Sequence, residues 1–144
     1  MICADTSVLI PAIGEWHVRH RLANEALTGT IIAVGHCIIE AYAVLTRMPE
    51  PFRMAPAIAA VTLTELVDEV IGLEASMTHG LPGRLHAARV QGGATYDGLI
   101  ALTAAHHGAT ILTLDERAAL TYRACGASFE LVAEKGRTAR RDRP

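Results

Sequence analysis

Four carboxylates stand where the chain turns from one kind of element to another. Asp5 closes Met1-Ile2-Cys3-Ala4, an apolar run too short and uniform for an amphipathic helix and therefore read as a buried strand. Asp115 closes a second such run, 109–115, and Glu40 lies just over one turn into an apolar helix over 36–47. Asp97 stands in the first turn of another apolar helix, which ends before Gly108. Each has a plain explanation alone: Asp5 as a cap or turn residue, Asp97 as an acid favoured by the helix dipole, Glu40 on a narrow polar stripe with Arg47. Together they do not, because right-handed crossovers bring strand ends and helix starts to one edge of a parallel sheet. Carboxylates gathered there repel and raise one another's pKa, so the set implies a bound cation. Oxygen-only ligands select Mg²⁺ or Mn²⁺, and a set without His or Cys argues against zinc.

The elements that must position these acids alternate. Thr6 or Ser7 starts a helix after the first strand, its hydroxyl suited to accept an N–H of the first turn, with Pro11 still near the start. Residues 15–27 read as an amphipathic surface helix, and His17, Arg19, His20 and Arg21 form a basic turn of the kind that is usually a solvated face. A second strand over 30–34 lies between Gly29 and Gly35, and the helix after it is expected to be covered on most sides. Pro49 and Pro51 make a connector, 55–66 a helix starting near Pro56, and 67–73 a short strand carrying Asp68 and Glu69. Pro82 and Gly83 are expected to split off a helix over 84–90 that Gly92-Gly93 ends, and 128–132 makes a last strand. Strands alternating with helices give an α/β fold: a parallel sheet flanked by helices on both faces.

The chain has 144 residues, 51% hydrophobic and 4% aromatic, which suits one domain with a largely aliphatic core. No apolar stretch reaches bilayer length and no signal-peptide pattern opens the chain, so a cytoplasmic protein is expected. Cys3, Cys37 and Cys125 form no C-x-x-C pair and read as buried free thiols of a reducing compartment. Lys135, Arg137, Arg140, Arg141 and Arg143 against Asp142 give residues 135–144 a charge of +4, leaving −6 for the rest of a chain whose net charge is −2. Twelve of the thirteen Lys and Arg residues are Arg, whose planar fork suits phosphate and carboxylate. The tail reads either as a flexible solvated end or as a contact for phosphate or a partner.

Four segments carry a family resemblance: Asp5-Thr6-Ser7, Glu40-Ala41-Tyr42-Ala43-Val44-Leu45-Thr46-Arg47-Met48-Pro49, Tyr96-Asp97-Gly98-Leu99-Ile100-Ala101 and Leu112-Thr113-Leu114-Asp115. In this order the chain resembles a PIN-domain ribonuclease, most closely the VapC toxins of bacterial toxin–antitoxin pairs. The resemblance spans residues 1–132 as a PIN-like nuclease domain and leaves 133–144 as a basic tail. It implies a Mg²⁺-dependent endoribonuclease, usually a homodimer, inhibited by a small antitoxin and leaving 5′-phosphate and 3′-hydroxyl ends. Carried over by position, Asp5, Glu40, Asp97 and Asp115 match the family's acidic quartet as catalytic metal ligands. Thr6, Ser7 and Thr113 then orient a carboxylate or a water. Two departures stand out: Gly98 replaces the usual Ala, which loosens that first turn by a fraction of a kcal/mol, and Arg117 occupies a place where some members carry a further Asp or Asn. Glu116 stands beside it as a possible substitute. The expected substrate is a structured tRNA or rRNA loop, since folded RNA is read by shape and unpaired bases. Two rivals are a catalytically silent PIN-fold module that serves complex assembly, and a phosphoaspartyl phosphatase, for which Ser7 occupies the place of a second Asp. An apolar partner surface is expected on the helices over 38–48 or 55–66, where ordinary core packing is the alternative.

Overall fold

The computed structural model describes residues 1–133 and 141–142. In chain order it holds β1 (Ile2–Ala4), α1 (Thr6–Ile13), α2 (His20–Ala26), β2 (Ile32–Val34), α3 (Gly35–Arg47), α4 (Pro56–Leu66) and β3 (Glu69–Ile71). Then follow α5 (Ala75–Ala87), α6 (Ala94–His106), β4 (Thr110–Thr113), α7 (Glu116–Ala124), β5 (Phe129–Leu131) and the two-residue β6 (Arg141–Asp142). The sheet order is β3-β2-β1-β4-β5-β6, with the first five strands parallel and β6 antiparallel to β5. The expectation of a flexible tail over 133–144 falls mostly outside the described residues.

From β1 the chain winds outward through β2 to β3, then returns to lay β4 on the other side of β1 and β5 beyond it. The order therefore reverses between β1 and β4, and in open parallel sheets ligands bind at the carboxyl ends of strands at such a reversal. Asp5 follows β1 directly, and Asp115 lies two residues beyond β4. The central strands β1, β2 and β4 are only three or four residues long and mostly buried, so apolar character rather than alternation was their signal. Cys3, Ala33 and Ile111 from the sheet, Val8 and Leu9 from α1, and Leu45 from α3 form the main core, while Leu81, Leu85 and Leu102 form a satellite under α5. Among the described residues no helix is long and apolar enough to cross a membrane.

Four sequence expectations are corrected. The helix over 15–27 begins only at His20, after turns that hold Trp16 against His17 and Phe52. The helix α5 runs continuously through Pro82 and Gly83, because Leu81 and Leu85 anchor it while the Thr78 turn that loses its partner faces water. The helix α3 is not covered on most sides: Cys37, Ala41 and Leu45 are buried, whereas Ile39, Glu40 and Tyr42 face outward. Neither Thr6 nor Ser7 caps α1; Asp5 is the N-cap residue without a side-chain cap bond, and both hydroxyls are committed elsewhere.

Candidate active site

Asp5, Glu40, Asp97 and Asp115 all line one open cleft of about 830 Å³ at the reversal of the strand order. Asp5 is the most enclosed of them, at 3% exposure. Its backbone N–H donates to Leu112 O of β4 at 3.1 Å, tying the site to the neighbouring strand. Its carboxylate accepts from Ser7 Oγ on Oδ1 at 2.6 Å and from Tyr122 OH on Oδ2 at 2.9 Å. Burial raises the Asp5 pKa, and the hydroxyl donors oppose that rise.

The hydroxyls form an ordered chain. Ser7 Oγ also accepts the Leu114 N–H at 2.8 Å and lies 3.3 Å from Thr113 Oγ1. Because the serine's single proton is given to Asp5, Thr113 is the donor to Ser7. Thr113 Oγ1 in turn accepts the Asp115 N–H at 3.1 Å. The expected orienting roles of Ser7 and Thr113 thus meet a continuous path from the Asp115 backbone to the Asp5 carboxylate. Thr6 acts separately, donating to Glu40 Oε2 at 2.6 Å across the gap between α1 and α3.

Asp115 has a double position. It caps α7, with Oδ1 accepting from Arg117 N at 2.8 Å and from Ala118 N at 3.4 Å, and it faces the cleft. Asp97 is half-buried in the first turn of α6, and no described hydrogen bond holds its carboxylate. Burial, then the charges of Asp115, Asp5 and Glu40, push its pKa up to about 6. The acids therefore feel one another electrostatically, as expected of carboxylates sharing a cleft. Among the described residues, however, no group of three or more His, Cys, Asp or Glu side chains is placed to hold a metal ion by itself. The donor chemistry fits a hard cation that keeps part of its water shell, as Mg²⁺ does with one or two carboxylates.

Other residues at the site escaped sequence reasoning. Tyr122 arrives from α7 to bond Asp5, and nothing local distinguishes it from an ordinary core aromatic. The basic turn was set aside as solvated, yet His17 and Arg19 line the cleft, and Arg19 Nη1 donates to Leu114 O at 2.9 Å. Glu116 and Arg117 line it too, leaving Arg117 as a rim cation where a further acid was considered. Gly98 is buried against Leu85 and Val90, and a methyl group there would have to push aside the flexible end of the Leu85 side chain.

A protein-family model described as PIN domain matches residues 2–124. Ribonuclease VapC40 of Mycobacterium tuberculosis is 40% identical over 133 residues, covering 92% of this chain and 99% of that one. Ribonuclease VapC27 of the same species is 38% identical, covering 92% and 97%. Among solved structures, Mycobacterium tuberculosis VapC20, described as a Sarcin-Ricin loop cleaving toxin, superposes with a TM-score of 0.66 at 18% identity, covering 83% of this chain and 94% of that one. FitAB bound to an IR36 DNA fragment gives 0.61 at 16% identity, covering 90% and 93%. At such identities the two structures speak to the fold alone.

Proposed function

Because the chain belongs to the PIN-domain family, among the VapC ribonucleases, we propose that it is a Mg²⁺-dependent endoribonuclease toxin that cuts a structured tRNA or rRNA loop. One observation carries the reading: four acids from β1, α3, α6 and the β4–α7 junction line one cleft, and their mutual charge helps push Asp97 up to about 6. A cation relieves that repulsion, and Asp5, Glu40, Asp97 and Asp115 are the residues that would hold it. A divalent ion in this place supplies charge to the scissile phosphate and activates the attacking water.

The chain's own residues do the positioning. Ser7 and Tyr122 fix both oxygens of Asp5, Thr6 fixes Glu40, and two backbone N–H groups of α7 fix one oxygen of Asp115. Asp97 is free to adjust to what is bound. Arg19 and Arg117 on the rim give the phosphate backbone a cationic approach to an otherwise acidic cleft, so affinity for RNA falls as salt rises. Residues 135–144 add a charge of +4 to the chain's attraction for RNA, wherever they lie. The protein acts in the cytoplasm, where Cys3 and Cys37 stay reduced, and a cognate antitoxin holds it inactive. It pairs with a second copy through the exposed Ile39 and Tyr42 of α3 and Ile58 and Val61 of the adjoining α4.

Asp5→Asn and Asp97→Asn are each expected to lower Mg²⁺-dependent RNA cleavage by about 100-fold or more while the circular dichroism spectrum stays native. Wild-type protein freed of its partner that cuts no cellular RNA with Mg²⁺ or Mn²⁺ overturns the reading. Calorimetric titration of Mg²⁺ separates the nuclease from a silent assembly module, which need bind no metal.

A further inference from the structure

Beside the lining acids Glu40 and Asp97, the rings of His36 and Tyr96 lie 5.0 Å apart between centroids and only 3° from parallel. His36 belongs to the first turn of α3 and places Nε2 4.0 Å from Glu40 Oε2. Tyr96 belongs to the first turn of α6 and immediately precedes Asp97. The pair therefore bridges the two helix starts that carry two of the four acids. Core packing does not account for it, since Tyr96 is 58% exposed. Stacking on the imidazole restrains the Tyr96 ring while leaving much of it in solvent, so an aromatic surface stands ready at little further entropic cost.

We propose that Tyr96, backed by His36, is a stacking platform for one unpaired nucleobase next to the scissile phosphate. The inference rests on the nuclease reading and adds how the substrate is gripped. Shape selects the base over the phosphate as the part of RNA that meets this surface. A base has a flat π-face to lay on an aromatic ring, whatever its identity, and a tetrahedral phosphate has none. Only an unpaired base can be splayed out to reach the ring, so the platform selects loops over duplex.

The test begins by mapping where the wild-type protein cuts cellular RNA and synthesising the stem-loop that contains the cut. Tyr96→Ala and Tyr96→Leu are expected to raise KM on that RNA by about 5- to 100-fold with kcat changed far less, whereas Tyr96→Phe stays within about twofold. Leu keeps the bulk and loses the π-face, which separates stacking from filling space. Replacing one loop nucleotide at a time with an abasic residue should reveal one position whose loss reproduces the Tyr96→Ala defect and adds nothing to it. In an Asp97→Asn background, where the RNA is held uncut, 2-aminopurine at that position should be quenched on binding, and Tyr96→Leu should relieve the quenching. An unchanged KM in Tyr96→Ala, a defect confined to kcat, or additivity at every abasic position overturns the platform while leaving the nuclease in place. A wild-type protein that cuts no RNA overturns the nuclease reading and the platform with it.

Discussion

Asp5 and Asp97 both hold a proton more tightly than an ordinary carboxyl, for different reasons. Burial raises Asp5 against the hydroxyl donors Ser7 and Tyr122, whereas Asp97 has no such donors and carries the added repulsion of its neighbours. With a folded pKa of about 6 against an ordinary 3.8, Asp97 binds more protons in the folded chain than in the unfolded one between those values. Its contribution to metal-free stability therefore decreases as pH rises through that window. Urea unfolding in a chelator at pH 5 and pH 7 should show this slope, and Asp97→Asn should flatten it. The same proton competes with the cation, so Mg²⁺ affinity should fall by up to about tenfold per pH unit below pH 6, as titration calorimetry would read. Tyr122→Phe tests the other acid: it leaves Oδ2 of a buried carboxylate one donor short and should cost about 1–3 kcal/mol in chemical denaturation. The four acids were legible in the sequence because each is fixed relative to the end of its own element, which is local information. Tyr122 and Arg19 were not, because they reach the cleft through the packing of α7 and of the turn before α2, and no local pattern encodes that.

At the scale of elements, legibility followed how strongly one feature dominates. The strand β3 was readable despite Asp68 and Glu69 because Asp68 turns outward to bond the Ile31 N–H at 2.8 Å and guides the pairing with β2. The helix α5 was misread because Pro and Gly are local breakers, whereas two buried leucines four residues apart hold the helix through them. Its end is unusual as well. Arg89 has φ of 58°, and Val90 N donates to Leu85 O while Arg89 N donates to His86 O, the bonding of a helix terminus that favours glycine. Arg89→Gly should therefore raise stability by about 1 kcal/mol. For a chain of this size, calorimetry should record that as a melting temperature higher by about 3 °C.

At the scale of the molecule, α3 and α4 together expose four large apolar side chains, Ile39, Tyr42, Ile58 and Val61. Ile39 is 69% and Ile58 57% exposed, on adjoining helices, a pattern expected of a face that another chain covers. Ile58→Glu should turn the proposed dimer into a monomer in light scattering coupled to size exclusion while leaving the isolated fold intact, since Ile58 makes no part of the core. Sequence pattern located these helices but not which of their sides would stay uncovered, because that depends on the angle at which each meets the sheet. The same sheet also hides two sulfurs. Cys3 and Cys37 are fully enclosed beneath Asp5 and Thr6, and burial pushes both thiols well above their ordinary pKa. A reagent that needs a thiolate can reach them only when β1 and α3 part. The rate of their modification under native conditions therefore counts the openings of the floor on which the acids stand. The protein carries in its two silent cysteines a clock for the integrity of its own cleft.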